Sequence, residues 1–295
     1  MTLNGKELFL RKWKITVTNP KTKEVHIIES KDGIGLRTQF TITEGSNSNH
    51  SQECNLTITN LNAKNRAWIA QENNIVTVVA GYEQIYGEIF TGKIVLGDNL
   101  HDKKNRGFST DEPNKRDDTD WSTEVKCIDN SVPKSKSILS VSFSEKTSVQ
   151  TIVNKICEEL GLKNNINLGK LAKKEKFNNG YSKYGHYSEV IADLAHDYGF
   201  EWDVKRKALY FYKPTVGINK ERYVINADSG LIGSIDKTEK GYKFKTLLLP
   251  ELHKGQWIQI KSRVVNGDFI ISKLGFKGDS SGDEWYTEFE VISKK

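Results

Sequence analysis

Two histidines stand where a helix could carry chemistry. His186 and Glu189 lie near the start of a stretch with helical spacing, and His196-Asp197 lies at its end. Two metal ligands on one helical turn stand about four residues apart, so that both reach one ion. His186 and His196 are ten apart and define no such pair. An aspartate beside a histidine in sequence does not orient its ring as a base. His26, His50, His101 and His253 fall in strand or loop contexts without partners. Cys54, Cys127 and Cys157 form neither a metal spacing nor a disulfide framework. The first two sit at strand positions and the third inside a helix, so they read as small buried hydrophobes. Gly81, Gly87 and Gly92 punctuate strands and precede no helix, which excludes a phosphate cradle. The expectation is a chain with no catalytic residues, no cofactor-binding residues and no metal ligands, and not an enzyme.

Two charged stretches could bind something. Residues 99–120 are almost all polar and include Asp111-Glu112 and Asp117-Asp118. Acid clusters can hold Ca²⁺, but Lys103, Lys104, Arg106, Lys115 and Arg116 are interleaved, and no calcium-loop spacing appears. A solvated, mobile hairpin tip is the expectation there. Residues 170–176 hold four lysines, and Phe177, Tyr181, Tyr184 and Tyr187 follow with Lys183 among them. Such interleaving can stack bases and hold phosphates. It equally describes a loop that packs its rings and exposes its ammonium heads, which is the reading preferred here.

The chain around these residues has 295 residues, enough for about two domains. Its net charge of +6, from 44 basic and 38 acidic residues, permits acidic partners without arguing for one. No run approaches the roughly 18 apolar residues of a membrane helix, and residues 1–13 lack a signal-like apolar core, so folding in the cytoplasm is expected.

The pattern is mostly that of half-buried strands, with apolar residues at every second position. Residues 13–17, 24–29, 34–43 and 54–58 read as strands, and 63–71 as a short helix capped by Asn62. Residues 131–137, with Pro133, are a linker. A capping box at Thr147-Ser148-Val149-Gln150 starts a helix that Gly161 ends, and a second helix from about Ser188 ends at Gly199. A hairpin turns at Lys205-Arg206-Lys207 and stops at Pro214.

One unit occurs twice. Residues 257–263 alternate, Asn266-Gly267 signals a type I′ turn, and Trp285-Tyr286-Thr287-Glu288-Phe289 closes the unit after Gly278-Asp279. Earlier, residues 75–81 and 89–96 are strands, Gly97-Asp98 opens the polar loop, and Trp121-Ser122-Thr123-Glu124-Val125 closes it. Acid-Trp-x-Thr-Glu-apolar is common to both closing strands, so the chain reads as two β-domains of one design.

At this point the residues resemble a known family. Residues 245–252, Gly255-Gln256-Trp257-Ile258-Gln259-Ile260, Gly267-Asp268-Phe269-Ile270-Ile271, Gly278-Asp279 and Trp285-Tyr286-Thr287 are similar to the C-terminal pattern of late-control-protein-D-like baseplate hub proteins of phage tails and phage-tail-like particles. Asn60-Leu61, Trp68, residues 76–81 and Phe90-Thr91-Gly92-Lys93-Ile94 resemble that family's N-terminal pattern. The resemblance implies a mainly β fold with an α+β part: two similar tube-like antiparallel β-barrel or sandwich domains, residues 1–131 and 215–295, flanking a small α+β domain, residues 138–213. It implies a structural hub that adapts a sixfold tail tube to a threefold spike as a pseudo-hexameric homotrimer. Its expected partners are itself, the tail tube protein and a separate trimeric spike or tip protein, since no spike follows Lys295. Tape measure and baseplate wedge proteins are further neighbours, and DNA only passes through the channel. No membrane insertion is expected. The place is the virion tail baseplate, made and assembled in the bacterial host cytoplasm. A tail-associated cell-wall hydrolase is the alternative, and the missing catalytic set counts against it.

Overall fold

A computed structural model of the chain describes residues 2–3, 6–31, 33–44, 52–69, 73–95, 101–104, 121–129, 131–132, 137–167, 176, 179–213, 216–218 and 222–293. Thr2–Leu3 (β1) and Lys6–Glu7 (β2) pair with each other. Arg11–Thr18 (β3), Val25–Glu29 (β4), Thr38–Glu44 (β5) and Gln52–Thr59 (β6) precede the helix Ala63–Ile69 (α1). Ile75–Tyr82 (β7), Ile85–Ile94 (β8), His101–Lys104 (β9) and Trp121–Asp129 (β10) complete the first β-rich part. Alternation decides these strands: Trp13, Ile15 and Val17 on β3, and Cys54, Leu56 and Ile58 on β6, are all buried on one face. Asn62 Oδ1 accepts the Asn65 N–H at 2.8 Å, so α1 starts at the expected cap.

The middle part runs through Ile138–Phe143 (β11), Val149–Leu160 (α2), Lys163–Asn167 (β12), Tyr181–His186 (β13), Tyr187–Tyr198 (α3), Glu201–Lys205 (β14) and Ala208–Tyr212 (β15). β11 pairs with β13, and β15 pairs with β12 and β14. The helices bury Val149, Ile152, Ile156, Val190, Ile191 and Leu194 in a core separate from that of the β-rich parts. Gly161 and Gly199 end them at φ of 69° and 64°, the left-handed conformation in which glycine meets no Cβ clash. The cap of α2 is Ser148, not the Thr147 of the expected capping box. Ser148 Oγ accepts the Thr151 N–H at 3.1 Å, while Thr147 donates its hydroxyl to the Ser144 carbonyl and closes the turn before the helix.

Tyr223–Ile225 (β16), Leu231–Lys237 (β17), Gly241–Leu247 (β18), Trp257–Lys261 (β19), Asn266–Asp279 (β20) and Trp285–Ser293 (β21) form the last part. One hydrogen-bonded path joins the two β-rich parts, in the order β17-β18-β21-β20-β5-β6-β10-β8-β7-β3-β4. Within it, β5-β6-β10-β8-β7 and β17-β18-β21-β20-β19 repeat the same connectivity, each step antiparallel. The closing strands β10 and β21 thus hold matching topological positions, as their shared motif predicts. One apolar core, from Leu8 to Cys127 and from Ile225 to Val291, runs through both repeats.

Three local expectations are corrected. The turn between β19 and β20 is Ser262 to Val265, and Asn266 and Gly267 lie inside β20, opposite Lys261 and Ile260. Ser262 Oγ accepts the N–H groups of Val264 and Val265 and so closes a turn that needs no Asn-Gly pair. The strand expected over 34–43 begins only at Thr38. Ile34 and Leu36 are exposed, because Lys31 and Ile34 bond to each other across a tight turn. Of the stretch 99–120, residues 101–104 are not a loop tip but the strand β9 along β10. Residues 96–100 and 105–120, the linker positions 133–136, and residues 170–175 and 177 of the lysine and aromatic stretch lie outside the described residues.

Candidate functional site

The two repeats meet where β5 of the first pairs with β20 of the second. The register sets Ile42 opposite Phe276, Thr41 opposite Lys277, Phe40 opposite Gly278 and Gln39 opposite Asp279. Phe40, Ile42 and Phe276 alternate toward one buried face, and the seam is therefore continuous with the core. Gly278 makes room for Phe40: a Cβ there would stand 2.3 Å from the Phe40 ring. Trp285 completes the packing, edge-on to Phe40 at 5.4 Å and to Trp13 at 6.4 Å, with its indole N–H donated to the Gly81 carbonyl at 3.2 Å. The side chain of its counterpart Trp121 lies outside the described residues.

Polar groups lock the same seam. Asp279, with a side chain only 7% exposed, accepts Arg37 Nε at 3.2 Å and Nη2 at 2.7 Å, Gln39 Nε2 at 2.9 Å and the Ser281 N–H at 3.0 Å. The hydrogen bond from Arg37 is the main reason its carboxyl lies below the usual range, against the opposing effect of burial. Arg11 donates Nη1 to the carbonyls of Asp279 and Gly282 and lies over the Trp285 ring. The Gly-Asp pair of the repeated motif is thus the clamp that holds one repeat to the other.

The β14–β15 turn docks the middle part against both repeats. Arg206 and Lys207 hold positive φ there, 50° and 57°. Arg206 Nη1 donates to the Pro250 carbonyl at 3.2 Å and its guanidinium lies over the Phe276 ring. The Lys207 N–H donates to Ser131 Oγ at 3.0 Å. Buried beside the turn, Asp203 pairs with Lys205 at 2.8 Å, and His253 lies against Tyr210. Burial, then the positive Arg206 and Lys205, push His253 down to about 3. Burial raises Asp129 to about 6, opposed by its hydrogen bonds from Ser131.

The residues that could have done chemistry are placed apart. His186 caps α3, its Nδ1 2.8 Å from Ser188 Oγ and 3.4 Å from the Ser188 N–H. His196 is an exposed residue of the last turn, 3.8 Å from Asp197. Cys54 and Cys127 face each other across β6 and β10, and burial pushes the Cys127 thiol up to about 12 and the Cys157 thiol to about 11. Tyr181 is buried, Tyr184 is exposed, and Lys183 pairs with Asp193 at 2.8 Å, so Tyr181 and Tyr184 share no face. Among the described residues no three His, Cys, Asp or Glu side chains converge as a metal site, and no helix is long and apolar enough to cross a membrane. What sequence reasoning missed is the seam. Its signal was present, since Gly278-Asp279 stood in the repeated motif, but pairing with β5 joins residues about 240 positions apart.

β17 stands where β5 stands in the other repeat and is its opposite. Ile232, Gly233, Ser234, Asp236 and Lys237 are exposed, and β18 is its only strand partner among the described residues. A bulge between Ile232 and Asp236 breaks its register.

Comparison with known proteins follows this architecture. A family model described as baseplate hub gp41 matches residues 14–291. No curated protein sequence matches the chain. The fold is similar to that of the tail protein from Neisseria meningitidis MC58, with a TM-score of 0.58 at 8% identity over 96% of this chain and 97% of that one. It is similar to the 43 kDa tail protein of prophage MuSo2 from Shewanella oneidensis, with a TM-score of 0.54 at 10% identity over 95% and 96%. An Escherichia coli component of the type VI secretion system, itself structurally similar to T4 bacteriophage tail proteins, scores 0.53 at 13% identity over 88% and 74%.

Proposed function

Because this chain belongs to the baseplate hub gp41 family, we propose that it is the structural hub at the end of a phage tail or phage-tail-like particle, a homotrimer that adapts a sixfold tube to a threefold spike. The observation that carries this reading is the repeated β-connectivity within one chain. Three chains with two such repeats each supply six similar units around a channel, and closed cyclic symmetry leaves no unit without a neighbour. On this reading residues 1–131 and 215–295 are the two tube-like domains, and residues 138–213 sit outside the pseudosymmetric ring. Its partners are a second and third copy, the tail tube protein and a separate trimeric tip protein, with tape measure and wedge proteins as further neighbours. DNA passes through without specific contacts. Assembly takes place in the host cytoplasm, and the finished protein resides in the tail baseplate.

The chain then works by geometry and not by catalysis. The polar lock at Asp279 and the buried junction at Arg206 hold the two repeats and the middle part as one unit, as an adaptor between two rings requires. Native mass measurement of the hub bound to its tip protein tests the reading. Three copies per complex are expected. Six copies in one ring, or hydrolysis of peptidoglycan in a zymogram by the purified chain, would overturn it.

A further inference from the structure

The internal seam predicts the seam between subunits. We infer that the exposed edge of β17 in one copy pairs antiparallel with the outer edge of β9 in the next, in a register that sets Asp236 opposite Lys103 and Lys237 opposite Asp102. The inference rests on the trimeric reading above and adds to it the strands and residues that join the copies.

The register follows from the repeats themselves. Trp121 and Trp285 open the closing strands, so Glu124 of β10 corresponds to Glu288 of β21. Opposite Glu124 lies His101 of β9, and opposite Glu288 lies Gly275 of β20. β9 is therefore the counterpart of the later half of β20, with Asp102 in the place of Phe276 and Lys103 in the place of Lys277. On the other flank, Lys126 pairs with Asn55 and Glu290 with Lys243. Asn55 in turn pairs with Thr41, and Lys243 with Asp236. One step along, Cys54 pairs with Ile42, and Tyr242 with Lys237. β17 thus corresponds to β5, with Asp236 for Thr41 and Lys237 for Ile42.

Within the chain, Thr41 pairs with Lys277 and Ile42 with Phe276. The equivalent contact between chains pairs Asp236 with Lys103 and Lys237 with Asp102. By residue type both pairs are opposite in sign, and opposite charges directly across antiparallel strands attract. β9 pairs only with β10 and β17 only with β18 among the described residues. Beside β17 runs an open cleft of about 750 Å³ lined by Leu231, Gly233, Ile235, Arg263 and Val264. Adding a strand to such an edge satisfies backbone groups that otherwise invite uncontrolled pairing. A seam made of charges also assembles reversibly, in contrast to the apolar seam inside the chain.

Paired cysteines test the register. The three native cysteines are buried, which leaves the background quiet. The variant Asp236→Cys/Lys103→Cys, oxidised in concentrated solution and in assembled tail particles, is expected to give covalent dimers and trimers on a non-reducing denaturing gel, while either single variant stays monomeric there. Charge exchange is the second measurement. Asp236→Lys or Lys103→Asp alone is expected to weaken trimer formation at least tenfold, and Asp236→Lys/Lys103→Asp together to restore it. A trimer by native mass that neither cross-links nor responds to charge reversal overturns this seam and leaves the hub reading standing, β17 then being a charge-protected free edge only. Absence of a trimer in both settings overturns both.

Discussion

β5 and β17 occupy the same place in their repeats and have opposite fates. β5 carries Phe40 and Ile42 into the core, pairs on both sides, and is held at its start by Arg37 and Gln39 on Asp279. β17 places a bulge where β5 has Phe40, exposes Asp236 and Lys237, and pairs on one side. The same topology thus supports a permanent joint where the alternating residues are apolar and an open edge where they are charged. Connectivity is inherited by both copies. Which edge is sealed is decided by a few side chains.

Breaking the sealed joint should have the largest effect. Trp285→Ala removes a fully buried ring that touches both Trp13 and Phe40. A loss of about 3–5 kcal/mol is expected in chemical denaturation, as for other large aromatic truncations in cores. Asp279→Ala comes next. It leaves Gln39 and half-exposed Arg37 without their acceptor, and about 2 kcal/mol is expected by the same measurement. A stability equal to that of the unaltered chain would show that the seam is held by backbone pairing alone.

Acid separates the seam from the junction of the middle part. The Asp279 carboxyl is depressed in the fold, so its contribution is present above the ordinary carboxylate pKa and fades as pH falls through its lowered value. The junction responds at higher pH and through two opposed groups. His253, pushed to about 3 from 6.5, favours unfolding as pH falls below 6.5, because only the unfolded chain gains its proton. Asp129, raised to about 6 from 3.8, does the reverse between those values, because the folded chain takes its proton first. The two largely cancel between pH 6 and 4. Asp129→Asn is expected to expose the histidine, with stability falling by about 1.4 kcal/mol per pH unit below pH 6. His253→Gln should show the opposite slope over the same range. Parallel pH–stability curves for the two variants would rule out this arrangement of charges.

Two small effects complete the comparison. His186→Ala removes the cap of α3 and should cost about 1 kcal/mol without touching assembly. Asp236→Lys on the open edge should leave the unassembled chain within about 0.5 kcal/mol of the original, since the residue is exposed and the bond it accepts from Ser234 Oγ is 3.4 Å long. A larger drop in melting temperature would mean that β17 matters to the fold of the single chain and not to its neighbour.

The strands were legible where one face is buried and the other is wet. β3, β6 and β21 alternate residue by residue, and period two is the direct trace of a pleated sheet on a core. Both long helices were readable from their apolar stripe and their terminal glycines. Errors fell where two local signals compete. Asn266-Gly267 is the stronger turn pair in isolation, but Ser262 supplies its own turn bonds, and Val265 is buried there. Thr147 and Ser148 both can cap, and the hydroxyl nearer the Thr151 N–H is the one that does. Ile34 and Leu36 continued an apolar parity that the turn at Lys31 interrupts.

The sequence by itself determined that strands with a repeated closing motif flank a stretch with two capped helices, because periodicity, caps and motif spacing are local quantities written along the chain. Only the tertiary structure decided that the repeats share one sheet and one core, that Asp279 serves the opposite repeat, and that β17 is left open. Those outcomes depend on pairing between residues some 240 positions apart. Strand edges carry the same backbone donors and acceptors whatever their sequence, so no local pattern says which two edges will meet. That choice is made by the fit of Phe40 over Gly278, the reach of Arg37 to Asp279 and the room left for Trp285, all of which exist only once the chain has folded.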